Sequence, residues 1–304
     1  MSENVECARG CLWGLVVGDA LGAPFEGRPQ DSFPLARDMR AGGADIFPLA
    51  PGDWTDDTAM ALCLADVLLH SNGFDEERLM YAFGRWLREG ENSCHGIAYG
   101  IGRNTRHVIR DYLKNGTIIA AKHEGIRSDG NGSLMRLAPI PSVYWGDLRM
   151  ASDLAERQSR VTHASDLAAN LCRAQAELCC RLIQGSDWNS ATAFLEAHDA
   201  VDSEIGIRPN WRELSRTEIR ASGQAKYAFE ASLWCVEHTS SFEDAVIKAV
   251  NLGGDTDTVG AITGQIAGAA YGYGSIPVRW LEAITHRKSI AQKFNKLIEL
   301  SHGH

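Results

Sequence analysis

Apolar residues recur along this chain at the spacing of buried helix faces, and runs that alternate with period two are scarce. Leu167, Leu171, Ala174, Leu178 and Leu182 mark one such stripe, and Gly185 follows as a stop. Residues 55–70 open on Thr55-Asp56-Asp57-Thr58 and run apolar through Met60, Leu64, Val67 and Leu68. Acidic residues in a first turn complement the helix dipole, and Thr caps it. Ser241-Phe242-Glu243-Asp244 reads as a capping box with Asp in place of Glu, opening a short helix that ends near Asn251. Gly253-Gly254 then marks a turn, and another helix starts near Asp255.

That last helix carries Gly260, Gly264, Gly268 and Gly272 at strict four-residue spacing. Glycine inside a helix costs about 1 kcal/mol relative to Ala. Four on one stripe predict a close backbone approach, most simply by another helix. Residues 22–53 and 125–141 are rich in Gly and Pro and read as loops. No linker, charge run or internal period divides the chain. The pattern predicts one compact all-α domain over residues 1–304.

Composition narrows the partners. The formal net charge of -9 repels nucleic-acid phosphates and anionic lipid, so neither is expected as a non-specific partner. The eight cysteines form no C-x-x-C pair, which argues against thiolate zinc. They sit in apolar, helix-like segments and read as reduced, which suits a cytoplasmic protein. Met1-Ser2-Glu3-Asn4-Val5-Glu6 lacks a basic n-region, so no secretory signal is expected. The most apolar stretches are broken by Asp19, or by Gln265 and many glycines, so no membrane span is expected.

Two acidic clusters stand about two hundred residues apart: Gly52-Asp53-Trp54-Thr55-Asp56-Asp57-Thr58 and Gly253-Gly254-Asp255-Thr256-Asp257-Thr258. Either alone is explained by ordinary N-capping. Together they hold more carboxylates than caps require, and like charges brought together repel unless a cation neutralises them. The donors are all oxygen, which favours Mg²⁺ or Mn²⁺. Two helix ends of this kind suit two metals about 3.5–4 Å apart, the spacing of two-metal hydrolysis.

Four strings occur in one order: Gly18-Asp19-Ala20-Leu21-Gly22, Trp54-Thr55-Asp56-Asp57-Thr58, Gly130-Asn131-Gly132-Ser133-Leu134-Met135-Arg136 and Gly253-Gly254-Asp255-Thr256-Asp257-Thr258. In sequence and order they resemble the motifs of ADP-ribosylglycohydrolases, over nearly the whole chain. The resemblance implies an all-α orthogonal bundle around a dinuclear Mg²⁺ or Mn²⁺ centre. It implies metal ligation by Thr55, Asp56 and Asp57 from one side and by Asp255, Asp257 and Thr258 from the other. Glu26 matches the family's catalytic or gating glutamate. It is the first candidate for acid/base work, ahead of the cluster aspartates Asp56 and Asp257. Asn131, Gly132, Ser133 and Met135 match a loop beside the diphosphate or its ribose, where the N–H groups of a Gly-rich turn and a helix start would cradle an anion. His163 matches a histidine near the substrate.

The implied activity is hydrolysis of a glycosidic bond that links ADP-ribose to a protein or small molecule, arginine-linked ADP-ribose being the leading instance. Vicinal ribose hydroxyls suit chelation, and cleavage passes through an oxocarbenium-like transition state. Alternatives are a serine, nucleobase or free-metabolite linkage, a non-catalytic ADP-ribose binder, and a metal phosphohydrolase that releases AMP. Two positions depart from the family. Gly100 stands where arginine-specific members carry an Asp, and Gln224 where a Tyr is common. Weak selectivity for the arginine linkage is therefore expected, unless Glu91, Asp111 or Glu124 reaches in. Gly100→Asp is expected to raise that selectivity if the backbone accepts a side chain.

Overall fold

The first helix, α1 (Glu3–Gly22), is buried at every residue from Gly10 through Gly22. A helix with little polar face belongs in the interior, and the rest of this computed structural model is built around it. The structure describes residues 2–44, 47–70, 73–118, 128–197 and 206–301. Among them follow α2 (Asp56–His70), α3 (Glu76–Glu89), α4 (Arg103–Asn115), α5 (Pro139–Tyr144), α6 (Leu148–Arg160) and α7 (Asp166–Ile183). Then come α8 (Trp188–Ala197), α9 (Ala225–Glu237), α10 (Phe242–Val250), α11 (Thr256–Tyr271), α12 (Val278–Ala283) and α13 (Arg287–Leu300). The all-α expectation holds. Buried apolar residues from Val5 to Ile298 form one continuous core. All eight cysteines are buried and unpaired. Among the described residues no helix is long and apolar enough to cross a membrane.

Serine caps open two of the helices, the one at Ser241 as predicted. Ser165 accepts the Ala168 N–H at the start of α7. Ser241 Oγ accepts the Asp244 N–H at 3.0 Å, and its own proton goes to Asp244 Oδ2 at 2.7 Å. The shorter Asp thus closes the box on the serine hydroxyl, where a Glu would reach the backbone N–H. Two loop expectations need correction. A short antiparallel hairpin, β1 (Gly42–Ala44) with β2 (Phe47–Leu49), lies within 22–53. The apolar run after Ser133 also forms turns, and α5 begins only at Pro139.

The glycine stripe does bring two helices together. Gly260, Gly264 and Gly268 of α11 face Gly18, Gly14 and Gly10 of α1, antiparallel. A Cβ on Gly14 would stand 1.9 Å from Gly264 O, and one on Gly264 would stand 1.9 Å from Gly14 O. Any larger side chain would separate the backbones. Gly272, read as the fourth member, lies outside the helix as its C-cap, with φ 77°. It still packs against α1, 2.8 Å from where a Cβ on Gly10 would stand, and at the other end Gly22 meets Thr256, whose Oγ1 donates to Gly22 O at 2.8 Å. This contact sets the acidic start of α11 beside the end of α1.

Candidate metal centre and active-site cleft

The two acidic clusters meet at the point where the end of α1 and the starts of α2 and α11 converge. Asp19, fully buried on α1, organises the meeting. It accepts the N–H of Thr55 at 3.0 Å and of Thr58 at 3.0 Å, and the Thr58 hydroxyl at 2.6 Å. Asp19 therefore satisfies the exposed donors that begin α2 and holds that helix end against α1. In the sequence Asp19 stands in the first of the four strings and breaks an apolar run, and neither feature assigns it a role in the site. A lone carboxylate within that run was the available signal, since Asp is rarely fully buried unless paired.

The α11 start is held by three interlocked loops. Gly27 N–H donates to Gly254 O at 2.8 Å, and Gly254 N–H returns to Arg28 O at 2.7 Å. Asp255 N–H donates to Ala221 O at 3.3 Å, and Asn131 N–H donates to Gly223 O at 3.1 Å. Gly254 has φ 72°, and a Cβ there would lie 2.0 Å from Ala221 O. Glycine is what lets the loops close.

These supports bring Glu26, Asp255 and Asp257 together, with one carboxylate oxygen of each within 4.8 Å of the others. Glu26 is reached from solvent through a cleft of about 670 Å³, whose acidic lining is Glu26, Asp56, Asp255 and Asp257. Asp57 and Thr55 lie beneath this floor, buried. Thr55 Oγ1 is 2.9 Å from Asp19 Oδ1 and 3.1 Å from Asp57 Oδ2, and it has one proton to give. Asp57 Oδ1 is buried and has no hydrogen-bond partner among the described residues. Burial, then the Asp255 and Asp19 carboxylates, push the Glu26 carboxyl up to about 7. Burial first and neighbouring carboxylates second hold Asp56, Asp57 and Asp257 well above the usual range. An oxygen-only set, crowded, buried at Asp56, Asp57 and Asp257 and with an orphaned oxygen, fits a hard divalent cation.

The remaining predicted residues divide. Asn131, Gly132, Met135, His163 and Thr258 line the cleft. Asn131 Nδ2 donates to Asp255 Oδ2 at 2.7 Å, which joins that loop to the acidic cluster. Its N–H, expected in an anion nest, is spent on Gly223. The Ser133 side chain turns away: it is fully buried, with Oγ bonded to Ser159 at 2.8 Å and Cys172 at 3.3 Å. Gln224 lines the cleft and its Nε2 donates to Asp129 Oδ2 at 3.3 Å.

Gly100 also lines the cleft, with φ 84°. A Cβ there would stand 2.3 Å from Asp56 Oδ1. The backbone therefore does not accept the aspartate that Gly100→Asp would install, which removes that variant as a selectivity test. Glu91 pairs with Arg85 at 2.9 Å, Asp111 lies on α4 beside His107, and neither lines the cleft. Glu124 falls outside the described residues. Arg103, Asn104 and Thr105, at the start of α4, line the cleft and escaped sequence reading because no motif marks them.

A family model described as ADP-ribosylglycohydrolase matches residues 2–304. The chain is 36% identical to "ADP-ribosylarginine hydrolase Tri1" of Serratia proteamaculans (strain 568), over 99% of this chain and 81% of that protein. It is 30% identical to the "ADP-ribosyl-[dinitrogen reductase] glycohydrolase" of Rhodospirillum rubrum, over 97% of this chain and 96% of that one. A solved structure titled "ADP-ribosylglycohydrolase-related protein complex" superimposes with a TM-score of 0.83 at 36% identity, covering 99% of this chain and 100% of its own. With four motifs in order, convergent clusters and a match from end to end, this chain belongs to the ADP-ribosylglycohydrolase family.

Proposed function

We propose that this chain, as one domain with a continuous core, hydrolyses the glycosidic bond between ADP-ribose and a modified protein or small molecule, with arginine-linked ADP-ribose as the leading substrate. The observation that carries the reading is the meeting of Glu26, Asp56, Asp255 and Asp257 on the floor of one cleft. Thr55, Asp56, Asp57, Asp255, Asp257 and Thr258 would hold two Mg²⁺ or Mn²⁺. When bound, such cations orient vicinal hydroxyls and lower the pKa of water.

The protein's own groups account for the rest. The acidic floor faces the positive charge that develops at the anomeric carbon of an oxocarbenium-like transition state. Without metal, burial and the Asp255 and Asp19 carboxylates push the Glu26 carboxyl up to about 7, and cations held beside it would draw it back toward the carboxylate form. Its carboxylate oxygen takes a proton from attacking water, or its acid form gives one to the leaving nitrogen or oxygen. Asn131, tied to Asp255, fixes the loop along which the diphosphate and ribose lie. The eight free thiols suit a reducing compartment such as the cytoplasm.

A second reading has its own observation. Gly100 supplies no carboxylate for a guanidinium and has no room for one, which favours tolerance of other leaving groups, such as serine-linked ADP-ribose. The test incubates the chain, with Mg²⁺ or Mn²⁺, with arginine- and serine-linked ADP-ribosyl peptides and identifies products by mass. Intact ADP-ribose is expected. AMP would establish a phosphohydrolase, and no product from either linkage, together with measured binding of ADP-ribose, would favour a binding protein.

A further inference from the structure

A cation is buried behind the cleft wall, where the Asp56 carboxylate acts on it only across space. Arg136 is fully buried, and its guanidinium carbon sits 4.6 Å from the centre of the Phe83 ring. Its Nε donates to Gln158 Oε1 at 2.8 Å. Its Nη2 donates to Gln158 O at 2.8 Å and to Thr162 Oγ1 at 2.9 Å. Among the described residues no carboxylate pairs with it. Burying a charge costs several kcal/mol even when it is well bonded, on the order of what a packed apolar side chain would avoid. The placement makes sense through what the guanidinium holds.

Thr162 is also fully buried, and its Oγ1 lies 2.8 Å from His163 Nδ1. Arginine only donates, so Thr162 Oγ1 is the acceptor in the Arg136 bond. The hydroxyl keeps one proton to give. Among the described residues, the acceptor it reaches is His163 Nδ1. A buried hydroxyl proton without an acceptor costs the full desolvation of that group. Thr162 therefore donates, Nδ1 accepts, and the ring proton is on Nε2. Burial, and then the Arg136 charge, push the His163 imidazole down to about 3, so the ring is neutral. The Nε2 edge faces the cleft loop: a Cβ on Gly130 or on Gly132 would lie 3.5 Å from it.

We propose that Arg136 and Thr162 are positioning residues that lock His163 as the neutral Nε2–H tautomer, so that its ring offers the cleft a fixed hydrogen-bond donor for an acceptor oxygen of the ADP-ribose moiety. The inference rests on the ADP-ribose reading for its ligand and on the Arg136–Thr162–His163 bonds for its tautomer. It assigns His163 to ligand orientation and takes it out of proton transfer. It also gives the arginine of the Gly130–Arg136 string a role at one remove from the ligand.

The test uses the full chain labelled with ¹⁵N-histidine in the presence of Mg²⁺, with the His163 signals identified by their loss in His163→Gln. The expected spectrum at neutral pH shows a protonated Nε2 and a bare, hydrogen-bonded Nδ1. In Thr162→Val the Nδ1 resonance moves toward that of an unbonded nitrogen, and ADP-ribose measured by calorimetry binds about tenfold more weakly, the worth of one lost hydrogen bond near the upper end. Thr162→Ser keeps both properties. A wild-type ring protonated on Nδ1, or on both nitrogens, overturns the proposal, and so does wild-type ADP-ribose affinity in Thr162→Val. The spectrum is read without ligand, so it decides the tautomer even where Thr162→Val does not fold. It also separates failure of this inference from failure of the ADP-ribose reading, which the binding of ADP-ribose to the wild type decides by itself.

Discussion

Replacing Gly100 by alanine tests whether the acidic floor is as tightly built as the structure shows. The added methyl meets Asp56 Oδ1 at 2.3 Å and both Asp56 Cγ and Thr55 Cβ at 3.2 Å. Ordinary contact needs roughly 3.4 Å or more, so Asp56 must retreat by about 1 Å. Position 100 also has φ 84°, where an L side chain costs about 1–2 kcal/mol. That cost lowers Tm by roughly 2–5 °C in a chain of this size. Function suffers more, because a misplacement of about 1 Å in a catalytic constellation costs on the order of a hundredfold. The control is Gly102→Ala, two residues on in the same cleft lining. Nothing lies within 4 Å of a Cβ at Gly102, and its φ is -63°. That variant changes stability by no more than about 1 kcal/mol, at the helix cap it occupies. Thermal melts, Mn²⁺ titration by calorimetry and kcat/KM on an ADP-ribosylated peptide read out all three effects. A Gly100→Ala protein with wild-type metal affinity and turnover would refute the crowding argument and, with it, the placement of Asp56.

Three further outcomes are expected. Asp257→Asn removes one of several mutually repelling buried carboxylates, so in chelator it melts no lower than wild type, yet Mn²⁺ no longer raises its Tm and activity is lost; wild-type activity of a dialysed sample in chelator rules out the metal role. The folded Glu26 carboxyl titrates near 7 against an ordinary 4.5, so the native state binds more protons between those values and metal-free stability falls as pH rises across that window; the slope is shallower in Glu26→Gln, and melts in chelator that show equal slopes reject the assignment. Gly264→Ala would set a Cβ 1.9 Å from Gly14 O, forcing α1 and α11 apart, and destabilises by about 3 kcal/mol or more, measured by urea unfolding, whereas Gly274→Ala, with nothing within 4 Å, changes little.

Helical spacing, the cap at Ser241, and the need for a close partner along Gly260, Gly264, Gly268 and Gly272 are legible in the chain, because they depend on residues within a few positions of one another. The two acidic clusters were legible for the same reason, and their excess of carboxylates over capping needs already pointed to a cation. What local pattern could not carry was the identity of partners far apart in sequence. That Gly10, Gly14 and Gly18 supply the facing stripe, and that Gly272 packs on Gly10 while also capping α11, follows only from the antiparallel seating of α1 on α11. Asp19 became the anchor of α2 only when α1 passed beneath it, and Ser133, in the middle of a cleft-lining motif, turned inward to Ser159 and Cys172. Gly100 read as a missing carboxylate, and tertiary packing made it a required vacancy beside Asp56. Position in the chain sets which groups exist and which face of an element they share. The distances that give a carboxylate a raised pKa, a histidine its tautomer or a glycine its necessity arise only when separate elements close on one another.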